Sequence, residues 1–250
     1  EVYLAEKLVK MHPWSSMAKF ARTGGEANSM AVRIARSYTG KSKIAFCGYH
    51  GWHDWYLSAN IKDKSNLDDQ LMTGLSPVGV PKELSNTSIP FQDGDINKLE
   101  EILKAGDVAA IKMEVMRSKE PSLAYLKDIR RLANKYKCLL IFDECTSGFR
   151  ETFGGLHLKY KIQPDICVLG KTLGNGYAIT SVIGTKKVMS ASQSTFISST
   201  FFTERIGYVA ALKTLEQMEQ HKSWEVITNR GRLFKKLVSN LSKKHNLELD

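Results

Sequence analysis

A lysine stands between an apolar run and a glycine-rich turn in "CVLGKTLGNGYAIT", residues 167–180. Residues 166–169 are typical of a buried strand, and the glycines after Lys171 permit close approach of a backbone. We therefore expect Lys171 at the end of a strand, above a cleft. A desolvated lysine in such a place loses its proton and becomes a nucleophile that forms a Schiff base with a carbonyl.

Two other interpretations of Lys171 are weaker. "GKT" also ends the phosphate-binding loop G-x-x-x-x-G-K-[ST], but that loop needs a glycine where this chain has Asp165. A carboxylate at that point repels phosphate. Most lysines are solvated surface residues, but the apolar run before Lys171 argues against that position.

Two carboxylates, Asp143 and Glu144, end the most apolar run of the chain in "LLIFDECTSGFRETFGG". Charges buried there are costly unless they are paired. An ion pair with Arg150 is one solution, and it suits Glu144 better than Asp143. A cationic ring nitrogen facing Asp143 is another. No histidine lies at metal-ligand spacing beside the two carboxylates, so we predict no metal site.

Two further motifs suit a flat, phosphorylated ligand. In "ARTGGEANSM", Gly24 and Gly25 lead directly into a helix, whose free N–H groups and positive dipole end can receive a phosphate. Thr23 and Glu26 also form a capping box, which needs no ligand. In "FCGYHGWHDW", Tyr49 follows a strand and is placed to stack on a flat ring, while the tryptophans suit a packed aromatic cluster.

A lysine, a buried aspartate, a stacking tyrosine and a phosphate site together describe a pocket for pyridoxal phosphate. In such a pocket the lysine holds the aldehyde of the cofactor. The aspartate keeps the pyridine nitrogen protonated, so that the ring accepts electrons. The lysine, once released by a substrate amine, can move a proton between two carbons.

Strand-like and helical segments alternate along much of the chain, which predicts an α/β fold with a mostly parallel sheet flanked by helices. Ligands of such sheets bind beyond the carboxyl ends of the strands. A long polar segment, 53–91, is expected to form part of the active-site wall. The predicted strands are 43–47, 108–113, 138–142, 166–169 and 181–184, and the predicted helices are 26–38, 96–104, 122–136, 204–220 and 224–244.

Composition narrows the class of protein. The chain of 250 residues is 42% hydrophobic and 25% charged, as expected for a globular domain, and its apolar runs are too short to cross a bilayer. Without a signal-peptide pattern, the cytoplasm is the expected location. The net charge of +10 is spread along helices, so no nucleic-acid partner is predicted. In the basic stretch near the end we expect four apolar residues to face inward: Leu233, Phe234, Leu237 and Leu241.

The four cysteines, Cys47, Cys138, Cys145 and Cys167, lack C-x-x-C spacing, so neither a zinc site nor a disulfide framework is indicated. The first residues are already helical in period, and the closing "NLELD" indicates the start of a strand. We therefore expect a fragment of a longer protein.

The motifs in their order resemble the class III aminotransferases of fold type I, and most of all the glutamate-1-semialdehyde aminomutase branch. The resemblance covers nearly the whole chain and rests on five stretches: "TGGEA", "YHGWHD", "FDECTSGFR", "PDICVLGKTLGNG" and "SSTFFTE". It implies a large cofactor-binding domain over residues 1–220. Residues 221–250 would be a helix leading into a truncated C-terminal small domain.

The resemblance also implies roles. Lys171 is the Schiff-base lysine, Asp143 the partner of the pyridine nitrogen, and Cys145 packs on the face of the cofactor opposite the stacking ring. Thr200 reaches the phosphate of the neighbouring subunit, which implies a homodimer with shared active sites. The cofactor-binding set is then Thr23, Gly24, Gly25, Tyr49, His50, Glu114, Asp143, Cys145, Lys171 and Thr200.

The chain departs from the family pattern at two places. The family usually has a hydroxyl residue where Gly25 stands, so Thr23 or the backbone must serve the phosphate. After Glu114 the family commonly continues with proline and an asparagine, where this chain has "EVMRSKEP". The predicted function is amino-group transfer on small amino and oxo substrates, by an aminotransferase or an aminomutase. The alternative is a binding or regulatory relative without the chemistry.

Overall fold

The computed structural model describes residues 1–247, and its seven strands form one sheet. The strands are β1 (Met17–Ala21), β2 (Lys43–Cys47), β3 (Ser88–Pro90), β4 (Val108–Glu114), β5 (Leu139–Glu144), β6 (Ile166–Leu169) and β7 (Thr180–Gly184). Their order in the sheet is β1-β7-β6-β5-β4-β2-β3. β7 runs antiparallel to both of its neighbours, and the other strands share one direction.

Helices cover both faces of the sheet. They are α1 (Val2–Met11), α2 (Gly24–Thr39), α3 (Asp54–Leu57), α4 (Ile96–Lys104), α5 (Leu123–Lys135), α6 (His157–Tyr160), α7 (Lys186–Met189), α8 (Ile206–His221) and α9 (Ser223–His245). One face of the sheet packs against α2 and α7, and the other against α4 and α5 and, towards β1, against α1 and α8.

The alternation of side chains along β2 shows why both faces need cover. Ile44 and Phe46 pack in the core on the side of α2, whereas Ala45 and Cys47 pack with α4 and α5. Successive residues of a strand point to opposite faces, so a strand that is apolar at every position is buried on both sides. This burial fixes the sheet and therefore the edge at which its carboxyl ends meet.

Helix α2 begins where the sequence predicts. Thr23 accepts a hydrogen bond from the backbone of Glu26, and the side chain of Glu26 accepts from the backbone of Thr23, which confirms the capping box. The helix ends at Gly40, whose φ of 67° is the left-handed conformation that favours glycine. These two signals place the N-terminus of α2 directly after β1.

The predicted α/β fold with a mostly parallel sheet is confirmed. The differences from the prediction concern the two edge strands, β1 and β3, and the strand β7 beside β1. β1 and β3 were not predicted. β3 has three residues and lies within the polar segment 53–91, whereas β1 contains Lys19 and is buried only at its last two residues. β7 matches the strand predicted at 181–184, but it runs antiparallel. The direction of a strand leaves no trace in its apolar pattern, so the alternation of elements alone suggested a parallel one.

The expectation that Leu233, Phe234, Leu237 and Leu241 face inward is wrong. These side chains are 52% to 68% exposed on α9. Contacts of α9 with the rest of the chain include the ring of Trp224 against Phe153, in its first turn. The apolar stripe is therefore real in the sequence but lies uncovered in the described residues.

The strand predicted within "NLELD" extends past residue 247 and lies outside the described residues. Among residues 1–247, the helices include none with the length and apolar character that crossing a membrane requires.

Candidate active site

A cavity of about 620 Å³ opens at the edge of the sheet where the carboxyl ends of the parallel strands meet. β7 also starts at this edge, because it runs in the opposite direction. The volume is typical of a site for a small molecule or cofactor. The lining residues are Arg22, Thr23, Gly24, Gly25, Glu26, Asn28, Tyr49, His50, Gly51, Trp52, His53, Asp143, Cys145, Thr146, Lys171, Thr180 and Phe201.

Lys171 follows β6 after one glycine and lines the cavity, as the sequence predicts. The expectation that its side chain is desolvated is wrong, because Lys171 is exposed at the open side of the cavity. Its Nζ donates a hydrogen bond of 3.0 Å to Oγ1 of Thr146, which follows β5. The backbone of Lys171 has φ of 42°, in the left-handed region that non-glycine residues seldom adopt. Such a conformation persists only where the surroundings impose it, and it is common at functional sites.

Asp143 forms part of the cavity wall at the end of β5 and is almost fully buried. Its Oδ2 accepts one hydrogen bond of 2.8 Å from Asn28 Nδ2 and also lies 2.8 Å from Nδ1 of His50. Its Oδ1 accepts one of 3.1 Å from the backbone of Cys145. Burial raises the pKa of this carboxyl, but the charge of Lys112 and the bond with His50 outweigh burial and hold the pKa below its usual range.

Lys112 stands behind Asp143 and is fully buried. It belongs to β4, and its Nζ donates a hydrogen bond of 2.7 Å to Oδ1 of Asn28 and lies 3.9 Å from Oδ2 of Asp143. Burial lowers the pKa of Lys112, and the charge of Asp143 only partly offsets this. Sequence reasoning missed both Lys112 and Asn28. A signal existed, since a lysine within an apolar strand must find a partner.

His50 supports Asp143 from the loop after β2. Its Nδ1 faces Asp143, and its Nε2 lies 3.1 Å from the carbonyl oxygen of Cys47. Burial and the charge of Lys112 lower the pKa of His50, so the ring is neutral at pH 7 and carries one N–H. We assign that proton to Nδ1, because a carboxylate is the stronger acceptor.

Tyr49 and Cys145 both lie in the cavity wall, as predicted. The ring of Tyr49 is half-buried and meets the ring of Tyr56 edge to face, with centroids 5.8 Å apart. Burial and the charge of Asp143 raise the pKa of the Cys145 thiol well above its usual range, so it is protonated. These two residues offer an aromatic surface and a compact neutral side chain to a ligand.

The N-terminus of α2 is shaped as a cradle. A Cβ added to Gly25 would lie 2.3 Å from Cε1 of His53, and one added to Gly51 would lie 3.1 Å from Cα of Gly25. The loop after β2 and the ring of His53 therefore pack closely on the first turn of α2. Free backbone N–H groups and the positive end of the helix dipole suit a phosphate at this point. The donors present thus fit the phosphate end of pyridoxal phosphate.

Glu114 and Thr200 lie outside the lining of this cavity among the described residues. Glu114 ends β4 and accepts two hydrogen bonds from the guanidinium of Arg117, at 2.5 and 2.7 Å, and one of 3.3 Å from the backbone of Tyr49. It supports the loop that carries Tyr49. Thr200 is exposed in a short 3₁₀ segment, Thr200–Thr203, beside Phe201 at the mouth of the cavity.

The expected ion pair between Glu144 and Arg150 is wrong. Glu144 points to the opposite face from Asp143, where its Oε1 lies 2.5 Å from Nδ1 of His157. Nε2 of His157 accepts a hydrogen bond of 2.8 Å from Trp14. Arg150 instead donates to the carbonyl of Thr146. The turn after β5 brings a histidine 13 residues further on back to the strand, which local spacing does not reveal.

Glu144, His157 and Cys167 place one potential ligand atom each within 4.8 Å of the others, which is the spacing of a metal site. The oxygens of Glu144 accept hydrogen bonds from Ser147 and from the backbones of Leu156 and His157. Protein groups thus already donate to both oxygens of Glu144. Through the hydrogen bond from Trp14 to His157, the cluster joins the first residues of the chain to the sheet.

The model of the family described as "Aminotransferase class-III" matches residues 1–248. The chain belongs to the class III aminotransferase family. This confirms the family predicted from the motifs around Thr23, Tyr49, Asp143 and Lys171.

Proteins similar to this chain in sequence differ from one another in the activity for which they are named. The chain is 38% identical over 240 residues to 3-aminobutyryl-CoA aminotransferase of Cloacimonas acidaminovorans, covering 92% of this chain and 54% of that protein. It is 34% identical over 229 residues to glutamate-1-semialdehyde 2,1-aminomutase of Methanothrix thermoacetophila, covering 88% and 52%. The chain thus spans about half the length of these relatives.

Solved structures agree on the fold. The FumI protein of Sphingopyxis sp. MTA144, in its PLP internal aldimine form, superposes with a TM-score of 0.88 at 25% identity, over 100% of this chain and 58% of that one. An omega-transaminase of Sphaerobacter thermophilus gives a TM-score of 0.75 at 26% identity, over 87% and 53%.

Proposed function

We propose that this protein is a pyridoxal phosphate-dependent enzyme that transfers an amino group, either between small amino and oxo substrates or within one substrate. The observation that carries the proposal is a single cavity that joins the amine of Lys171, the buried carboxylate of Asp143 and the N-terminus of α2. Family membership supports the same activity. A binding or regulatory relative would have no need of both Lys171 and Asp143.

Bound pyridoxal phosphate supplies an aldehyde that joins reversibly to amines and a ring that accepts electrons. Lys171 is the amine of the chain that would hold the aldehyde, and Thr146 Oγ1 orients its Nζ. Asp143 would hold a proton on the ring nitrogen, because an ionised carboxylate in a desolvated site stabilises a cation. Gly24 and Gly25 would bind the phosphate through backbone N–H groups, and Tyr49 would stack on the ring.

Once freed by a substrate amine, Nζ of Lys171 would be the base that moves a proton between two carbons, the amine-bearing carbon of the substrate and the former aldehyde carbon of the cofactor. Arg22 and Phe201 also line the cavity, and the guanidinium of Arg22 lies 4.1 Å from the centroid of the Phe201 ring.

Borohydride reduction tests the assignment of the lysine. The full-length protein is incubated with pyridoxal phosphate, reduced and digested, and the peptide that carries the pyridoxyl group is sequenced. The label is expected on Lys171 and should vanish in Lys171→Ala, while Lys112→Met, which removes the other lysine at the site, should leave it in place. A label on another lysine of the wild-type protein contradicts the proposal.

We further propose that the enzyme is a homodimer in which Thr200 of each subunit reaches the phosphate bound by the other. Thr200 is exposed beside the mouth of its own cavity, which supports a contact across an interface. The test mixes Lys171→Ala subunits with Thr200→Ala subunits. One pocket of the mixed dimer then inherits both defects and the other neither, so activity should return to one site in two. If subunits exchange and activity stays absent, the shared-site proposal fails.

We also propose the domain division expected from the sequence, with residues 1–220 as the large cofactor-binding domain and 221–250 as the helix leading into a small domain. The left-handed backbone of Lys222, with φ of 46°, separates α8 from α9 at this point. A cytoplasmic location is proposed as well, since the four cysteines are free thiols, as is usual in reducing compartments.

A further inference from the structure

Behind the cavity wall, next to Asp143, lies a cation that the proposed chemistry does not use. Lys112 is fully buried, and its described polar contacts are Asn28 Oδ1 at 2.7 Å and Asp143 Oδ2 at 3.9 Å. Asn28 also donates to Asp143 at 2.8 Å, so it joins the two charged groups. A lysine held this way is costly to bury, and its position beside one carboxylate has to offset that cost.

The buried charges around Asp143 are already balanced. His50 is neutral, the thiol of Cys145 is protonated, and Glu114 is paired with Arg117. One carboxylate, Asp143, therefore faces one ammonium, Lys112. A ligand that brings a protonated ring nitrogen to Asp143 adds a second cation to this single carboxylate, and like charges in a desolvated site repel each other.

We propose that Lys112 is a positioning residue that acts as the counter-ion of Asp143 in the free protein and competes with a cationic ligand for that carboxylate. Two consequences follow. The Asp143 carboxylate is kept ionised and in place before any ligand arrives, and the ligand binds less tightly than it would to an unpaired Asp143. This inference rests on the proposed role of Asp143 as the partner of a protonated ring nitrogen.

The probe is pyridoxamine 5′-phosphate, which has the ring and phosphate of the cofactor but no aldehyde, so it forms no bond with Lys171. Its dissociation constant is measured by calorimetry on the full-length, cofactor-free protein. Lys112→Met removes the charge and is expected to tighten binding about tenfold, which is about 1.4 kcal/mol of coupling. Lys112→Gln keeps a donor for Asn28 Oδ1 and should tighten binding similarly, which separates loss of charge from loss of the hydrogen bond.

A double-mutant cycle shows whether the effect passes through Asp143. In Asp143→Asn the carboxylate is gone, so adding Lys112→Met should change the affinity less than twofold. A merely structural lysine behaves differently, because removing it loosens the cavity and weakens binding in both backgrounds.

Unchanged or weaker binding in both Lys112 variants would overturn the inference, and so would equal tightening with and without Asp143. If the wild-type protein fails to bind pyridoxamine 5′-phosphate at all, the proposed function falls together with this inference. Binding by the wild type without any coupling overturns only the role of Lys112.

Discussion

Acidification should destabilise the protein through one histidine that does not line the cavity. His12 is fully buried after α1. Its Nδ1 donates to the carbonyl of Leu8 at 2.8 Å, and its Nε2 accepts from the backbone of Gly155 at 2.9 Å. Both bonds require the neutral ring with its proton on Nδ1. Burial, helped by the nearby ring of His157, lowers the pKa of His12 to about 4.

The sign follows from comparing the folded and unfolded chains. Below pH 6.5 the unfolded chain binds a proton at His12, whereas the folded chain does so only near pH 4. Its contribution to stability is therefore full above pH 6.5 and is lost progressively as the pH falls towards 4. The slope is about 1.4 kcal/mol for each pH unit, so the loss between pH 6.5 and pH 5 is about 2 kcal/mol.

The assay measures the free energy of unfolding in urea at pH 7 and at pH 5 for the wild type and for His12→Gln. Other groups also titrate in this range, and the difference between the two proteins isolates His12. That difference should shrink by about 2 kcal/mol at the lower pH. His221→Gln, which removes an exposed histidine on α8, is the matched control and should keep the wild-type slope. A difference that stays constant, or an NMR titration of His12 centred near pH 6.5, would refute the reasoning.

Three more changes have expected outcomes. Asp143→Ala should lower turnover of the loaded enzyme by about 100-fold or more while borohydride labelling persists, and near-normal turnover would contradict its role. Gly155→Ala places a Cβ 2.4 Å from His157 and should cost about 1 to 3 kcal/mol in urea unfolding, whereas Gly231→Ala, with open space around it, should not destabilise. Thr23→Val removes the cap of α2 and should cost about 1 kcal/mol; an unchanged urea midpoint would show that the cap contributes nothing.

The parts of the site that the sequence predicted are those that follow strands. Lys171, Asp143 and Tyr49 each come directly after an apolar run, and the geometry of parallel sheets brings such positions to one edge. The start of α2 was visible because a capping box has a fixed spacing. Local rules are enough for these features, since each depends on residues that are near in sequence.

The parts that escaped prediction depend on contacts between distant segments. Asn28 lies inside a helix and Lys112 inside a strand, and nothing local shows that they meet at Asp143. The partner of Glu144 was assigned to the wrong residue for the same reason, because Arg150 is nearer in sequence than His157. The apolar stripe of α9 was predicted correctly as a pattern, but a pattern does not say whether anything covers it.

The antiparallel direction of β7 has a consequence for the order in which the site folds. Because β6 and β7 are neighbours that run in opposite directions, the segment that carries Lys171 is closed by a short hairpin-like connection. In contrast, the contact between Asn28 and Asp143 spans 115 residues, and that between Lys112 and Asn28 spans 84. Contacts close in sequence form faster than distant ones. The lysine should therefore be fixed early and the buried charge pair late. Pulse-labelling hydrogen exchange should protect the amides that pair β6 with β7 before those that pair β2 with β4, the strand of Lys112.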